Sequence, residues 1–164
     1  MHEPSRHDVG LSETEPSFEE FVARHGEGLR RALVAAYGVD VGGDACAEAL
    51  AFAWEHWDRV GAMERPVGYL FRVGQSASRR LLRPRRRRIE LPAEPVDPDL
   101  GDVGVRLDEA LLTLSPRQRA AVLLVHGHGY SYTQAAEMTG ASVGSVRNEL
   151  HRAMKRLRAQ MEAG

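Results

Sequence analysis

Residues 130–158 read YSYTQAAEMTGASVGSVRNELHRAMKRLR, and this stretch decides the fold. A short helical run from Tyr132 to Met138 stops at Gly140, and a longer one starts near Val143. Glycine takes positive φ at a helix C-terminus without a Cβ clash. Ser142 is placed to cap the second helix. Two helices joined by a tight glycine turn form the helix-turn-helix pattern. In the second helix Val146, Leu150, Ala153, Met154, Leu157 and Met161 recur at steps of three and four, which predicts one inward stripe. The opposite side carries Gly144, Asn148, His151, Arg152 and Lys155, flanked by Ser145, Arg147 and Arg158. Polar residues near the start of such a helix reach base edges, and basic residues further along suit phosphates. Basic outer faces are also common on plainly solvated helices, but here turn, cap and face agree.

Upstream, Leu114-Ser115-Pro116 supplies a cap followed by proline at the first helical position, and Ala120, Val122, Leu123 and Leu124 supply an apolar run. His126-Gly127-His128-Gly129 breaks that run. With no cysteine or carboxylate beside the two histidines, an exposed loop is expected rather than a metal site.

The N-terminal half predicts three helices. Phe18, Phe21, Val22, His25, Leu29, Leu33 and Tyr37 make the first stripe, interrupted by Gly26 and Gly28. A Gly38–Gly43 loop is expected next, with Asp44 capping a second helix that places Ala49, Leu50, Ala53, Trp54 and Trp57 on one side. The third follows Pro66 and turns Leu70, Val73, Ala77 and Leu81 inward. Its other side carries Tyr69, Arg72, Ser76, Arg79, Arg80 and Arg83, an aromatic with basic residues that suits an unpaired nucleic-acid strand.

The C-terminal block resembles the DNA-binding domain of an extracytoplasmic-function sigma factor. Leu114, Arg119, Tyr132, Ala136, Gly140, Gly144, Ser145, Val146, Leu150, Arg152, Ala153 and Leu157 fall on that family's motifs. FEEFVARHGEGLRRAL, AFAWEHWDRV and RPVGYLFRVGQSASRRLL resemble, in the same order, the family's promoter-melting domain. The resemblance covers most of residues 18 to 160. It implies an all-α fold of two small helical domains, a promoter DNA partner, an RNA polymerase core partner and an anti-sigma protein as a further partner. The carried-over residues are Ser145, Arg147, Asn148, His151, Arg152 and Lys155 for the minus-35 duplex. Tyr69, Arg72, Ser76, Arg79, Arg80 and Arg83 fall to the minus-10 strand, and Glu48, Leu50, Phe52, Trp54 and Trp57 to the polymerase. The second helix departs from the family pattern: Asp44-Ala45-Cys46-Ala47-Glu48 lacks its acidic pair. In the third, the family's Asn and Asp fall at Ser76 and Arg80. Two readings therefore stand: an initiation factor, and a sigma-like DNA-binding or protein-interaction regulator that does not initiate.

Composition bounds the rest. A chain of 164 residues holds two small cores, not two large ones. The net charge of −1 hides a segregation: of 22 basic residues, seven fall in Arg79–Arg88 and five in Arg147–Arg158. Local basic patches on a near-neutral chain suit DNA contact. Prolines 92, 95 and 98 alternate with acidic residues, marking an acidic linker. The expected organisation is a disordered tail (1–16), a first domain (17–88), the linker (89–106) and a helix-turn-helix domain (107–164). No catalytic constellation, cofactor motif or metal-ligand spacing is present, so an enzyme is not expected. The lone Cys46 forms no internal disulfide and is expected partly buried on the second helix. The lack of a long apolar run or signal peptide points to the cytoplasm.

Overall fold

The computed structural model describes residues 15–83, 89–92 and 101–163, the last segment in backbone alone up to residue 105. The expected tail up to residue 14, the Arg85–Arg88 run and residues 93–100 of the linker lie outside the described residues. Every described element is helical. In order they are α1 (Phe18–Tyr37), α2 (Val39–Glu55), α3 (Trp57–Val60), α4 (Pro66–Leu82), α5 (Gly101–Leu112), α6 (Pro116–Val122), α7 (Tyr132–Thr139) and α8 (Val143–Glu162).

Capping explains the starts. Ser17 accepts from Glu20 N while the Glu20 carboxylate accepts from Ser17 N, a reciprocal box that satisfies two first-turn donors of α1. Ser115 with Gln118 and Ser131 with Gln134 repeat the device on α6 and α7. With its start fixed in this way, α1 runs unbroken through Gly26 and Gly28.

The α1–α2 joint differs from expectation. No loop spans residues 38–43. Gly38 alone reverses the chain at φ 89°, and α2 begins at Val39, so Asp44 lies inside the helix instead of capping it. A single left-handed glycine makes the turn that the Gly-Val-Asp-Val-Gly-Gly composition suggested for a longer one. Val41 is then free to turn inward, 1 % exposed. The Val39 amide donates to Glu90 O at 2.7 Å, so the segment after α4 crosses over this joint. Near residue 100 the backbone is also more regular than expected: α5 starts at Gly101, inside the stretch read as linker, and no proline lies between Gly101 and Leu112 to stop it.

α1, α2 and α4 pack as a three-helix unit around Leu29, Leu33, Val41, Ala49, Val60 and Leu70. Full burial of each leucine or valine stabilises by about 1.5–3 kcal/mol. A second cluster joins Ala110, Leu111 and Leu114 to Val122, Leu150, Ala153 and Leu157. The first cluster does not stop at the N-terminal unit. It runs on through Ala120, Leu124, Ala135, Ala136, Met138 and Val146, so the two helical units share a core. Arg119 of α6 is wholly buried in that junction, 1 % exposed. After α6 the helix widens by one residue: His128 N–H donates to Leu123 O, five residues back, and His126 and His128 stand exposed.

Candidate nucleic-acid interface

α7 ends where Gly140 takes the left-handed conformation, φ 64° and ψ 22°, with its N–H on Ala136 O. Ala141 N–H then donates to Ala136 O, and the Ser142 hydroxyl accepts from Ser145 N at 3.0 Å. This closes α7 and opens α8 across three residues, Gly140 to Ser142. On α8, Val146, Leu150, Ala153 and Leu157 face the core. Ser145, Arg147, Asn148, His151, Arg152 and Lys155 are all exposed, so the structure brings these six to one outer surface. The Ser145 hydroxyl accepts from Ser142 Oγ at 3.1 Å, which orients it. The Arg147 guanidinium carbon sits 5.9 Å from the centroid of the Tyr132 ring. An attraction of this kind limits the wandering of a long basic side chain. Tyr132, His126 and Arg158 line, with Arg147, His151 and Lys155, an open groove of about 630 Å³ beside α8. Sequence reasoning left these three out of the reader set. Tyr132 opens α7 and meets α8 only in three dimensions.

α4 presents its six candidates less uniformly. Ser76, Arg79, Arg80 and Arg83 are exposed, whereas Tyr69 is half-buried against the core with its ring centroid 6.2 Å from Phe52. Arg72 Nη2 donates to Gly140 O at 3.4 Å. Arg80 forms an ion pair with Glu48 of α2. Two residues read for different partners, one for the strand and one for the polymerase, thus bind each other.

The remaining candidates on α2 and α3 form an aromatic edge. Trp54 is 61 % exposed, and the Phe18 ring stands edge-on to Trp54 at 5.2 Å and to Trp57 at 5.6 Å. Trp57 Nε1–H donates to Pro16 O at 3.1 Å, so Pro16, the last residue of the expected tail, is tied to the fold. Leu50 and Phe52 are half-buried. Cys46 is buried, and burial raises its thiol pKa. Among the described residues no group of His, Cys, Asp and Glu is placed to hold a metal ion, and no helix is long and apolar enough to cross a membrane.

Residues 104–157, which contain the helix-turn-helix, match the family model of sigma-70 region 4. The whole layout has relatives as well. An RNA polymerase sigma-E factor of Streptomyces avermitilis is 32 % identical over 155 residues, spanning 89 % of this chain and 86 % of the relative. The chain belongs to the extracytoplasmic-function sigma factors. Two solved structures share the fold of this sigma factor. The sigma factor RpoE of Bartonella quintana, in complex with the anti-sigma factor NepR, has a TM-score of 0.56 at 26 % identity, over 88 % of this chain and 96 % of that one. CnrH, in complex with the cytosolic domain of CnrY, has a TM-score of 0.55 at 26 % identity, over 89 % of this chain and 88 % of that one. As a sigma factor the protein is a transcription initiation factor that directs RNA polymerase to promoters.

Proposed function

We propose that this sigma factor reads a minus-35 duplex with the outer face of α8. The melted minus-10 strand lies along the outer side of α4, and the polymerase core meets the aromatic edge of α2 and α3. The observation that carries the reading is the α7–turn–α8 unit: a left-handed glycine, a serine cap and six exposed polar residues on one side of a 20-residue helix. Asn148 and Arg147 have the donor and acceptor forks that base edges require. Arg152 and Lys155, further along, suit phosphates. On α4, Arg79 and Arg83 supply exposed charge for a strand backbone, and Tyr69 supplies an aromatic surface.

The polymerase surface departs from the family's acidic pattern. The exposed Trp54 and the Phe18–Trp57 pair give it an apolar character. Buried aromatic anchors dominate many protein interfaces, so α2 binds core by burial rather than by a charged ridge. An anti-sigma protein is a further partner, and the cytoplasm is the compartment where these partners meet. No cofactor and no catalysis enter the mechanism.

Run-off transcription with purified core polymerase on genomic promoter fragments tests the proposal. Transcripts whose start sites depend on the protein support it. Duplex binding without core association would favour a regulator that does not initiate.

A further inference from the structure

His126-Gly127-His128-Gly129 stands between α6 and α7, and the fold sends its two histidines to different places. His128 N–H donates to Leu123 O, five residues back, and Tyr130 N–H donates to Leu124 O at 3.0 Å. Gly129 closes this wide turn in the left-handed region, at φ 74°. Widened helical turns recur at functional sites. Both histidines are exposed, but their neighbours differ. The His128 ring lies 6.0 Å from that of Tyr130, whose hydroxyl accepts from Arg31 of α1. His126 instead lines the open groove of about 630 Å³ beside α8, together with His151.

We propose that this groove seats one strand of the duplex phosphate backbone, that His126 and His151 are phosphate contacts in it, and that both bind as imidazolium, so that promoter affinity rises as pH falls. The proposal rests on the reading that α8 enters the major groove.

Width gives the first argument. A helix with its side chains is about 10–12 Å across, and the major groove of B-form DNA is about 12 Å wide. A helix seated there fills the groove, so its flanks meet the phosphates of the two walls. Arg147, His151, Lys155 and Arg158 follow one another along one side of α8, over about 16 Å of helix at 1.5 Å per residue. The groove they line is continued outside α8 by His126 of the wide turn and Tyr132 of α7.

Charge gives the second. Against three cations, Arg147, Lys155 and Arg158, the described residues of the lining set one carboxylate, Glu162. From α5, Arg106 brings a further cation to this end of α8, where its Nη2 donates to Met161 O at 3.0 Å. A polyanion is the ligand such a lining complements, and promoter DNA is the partner that carries regularly spaced phosphates.

Titration gives the third. Imidazole is the side chain that ordinarily changes charge close to neutral pH. A phosphate oxygen within reach favours the protonated form. A histidine that meets phosphate therefore takes up a proton on binding, and affinity climbs as pH falls. For an ordinary imidazole, a tenfold preference of the site for the cation over the neutral form gives about sixfold in affinity between pH 8 and pH 6. Two such contacts give about 35-fold. Each imidazolium also displaces a counterion, which steepens the log–log salt dependence by about 0.9 per histidine.

The test uses this sigma factor bound to core polymerase, with a fluorescent duplex that carries the minus-35 element of a promoter found by run-off transcription. Anisotropy at pH 6, 7 and 8 gives affinity, and a salt series at pH 6 gives the slope. His126→Gln and His151→Gln keep a hydrogen-bonding side chain that cannot take up a proton. His128→Gln is the comparison outside the groove. The expected result is that His126→Gln removes about sixfold of the rise between pH 8 and pH 6, the double variant about 35-fold, and His128→Gln none. At pH 6 the salt slope of the double variant is shallower than the parent's by about 1.8. A double variant that keeps the parent's pH ratio, or its salt slope, overturns the proposal. An equal loss in His128→Gln overturns it too, since the effect would then belong to surface charge at large. Should a groove variant lose helicity, the parent is compared with itself: a steeper salt slope at pH 6 than at pH 8 supports the phosphate seat, and equal slopes overturn it. Asn148→Ala and Arg147→Ala at pH 8 separate the two ideas. If they relax sequence preference while the histidine variants behave as the parent, the α8 reading stands and the phosphate seat falls. If neither changes binding, both fall.

Discussion

Arg119 of α6 donates from Nε to the carbonyl of Ala36, 83 residues earlier, at 3.2 Å, and Nη2 donates to the same oxygen. Its Nη1 reaches Leu111 O and Leu114 O at 3.5 and 3.4 Å. Two helix C-termini, those of α1 and α5, thereby converge on one cation, which suits the negative end of each backbone dipole. Burial pulls the Arg119 pKa below its usual value, and Tyr37 opposes the shift.

Removing that side chain leaves carbonyls without a donor and opens a cavity at the junction. Arg119→Ala is expected to destabilise the protein by about 3 kcal/mol. Arg119→Lys is expected to recover only part of this, since one ammonium cannot reproduce the planar fork. Urea unfolding followed by circular dichroism checks both values.

Tyr132 holds Arg147 over its ring. Tyr132→Leu is expected to weaken minus-35 duplex binding by about 0.5–1 kcal/mol, the size of an exposed ring–cation contact, whereas Tyr132→Phe changes little. Arg147→Ala is expected to cost about 1–3 kcal/mol if it meets a base, and to relax sequence preference there. Competition binding against single-base variants of the duplex gives both numbers.

Glu48 draws Arg80 away from a strand. Glu48→Gln is expected to leave stability within about 0.5 kcal/mol, because exposed ion pairs contribute little. The same change raises the affinity of the polymerase-bound protein for a minus-10 single strand, and Arg80→Ala lowers it. Unchanged affinity in both variants would remove Arg80 from the strand surface.

His25 contributes a pH dependence. Desolvation and the neighbouring Arg24 lower its pKa, with Glu137 opposing. A base whose folded pKa is depressed stabilises most when neutral in both states. Its contribution is complete above the unfolded value of 6.5 and is lost as pH falls through 6.5 toward the lower folded value. The drop in melting temperature between pH 7.5 and 5.5 is therefore expected to be smaller in His25→Gln than in the parent protein.

The helix-turn-helix could be read from residues alone because its signals are local. Gly140, Ser142 and the stripe from Val146 to Leu157 lie within one window, and each does in space what its position suggested. The α1–α2 joint could not be read so easily. A glycine cap and a glycine-rich loop share one composition, and only the φ of Gly38 separates them. Arg119 stayed hidden for a different reason. A charge within an amphipathic run reads as outward, and its acceptor Ala36 belongs to a helix 83 residues away. The Glu48–Arg80 pair and the Arg72–Gly140 bond are likewise long-range, so the candidates on α4 were assigned without the neighbours that now engage two of them.

The bond from Trp57 to Pro16 O fixes the direction in which the leading segment enters the bundle, beside Phe18 and Trp54. The chain's two tryptophans both stand on that aromatic edge, Trp54 61 % exposed, so a partner that covers it changes the intrinsic emission.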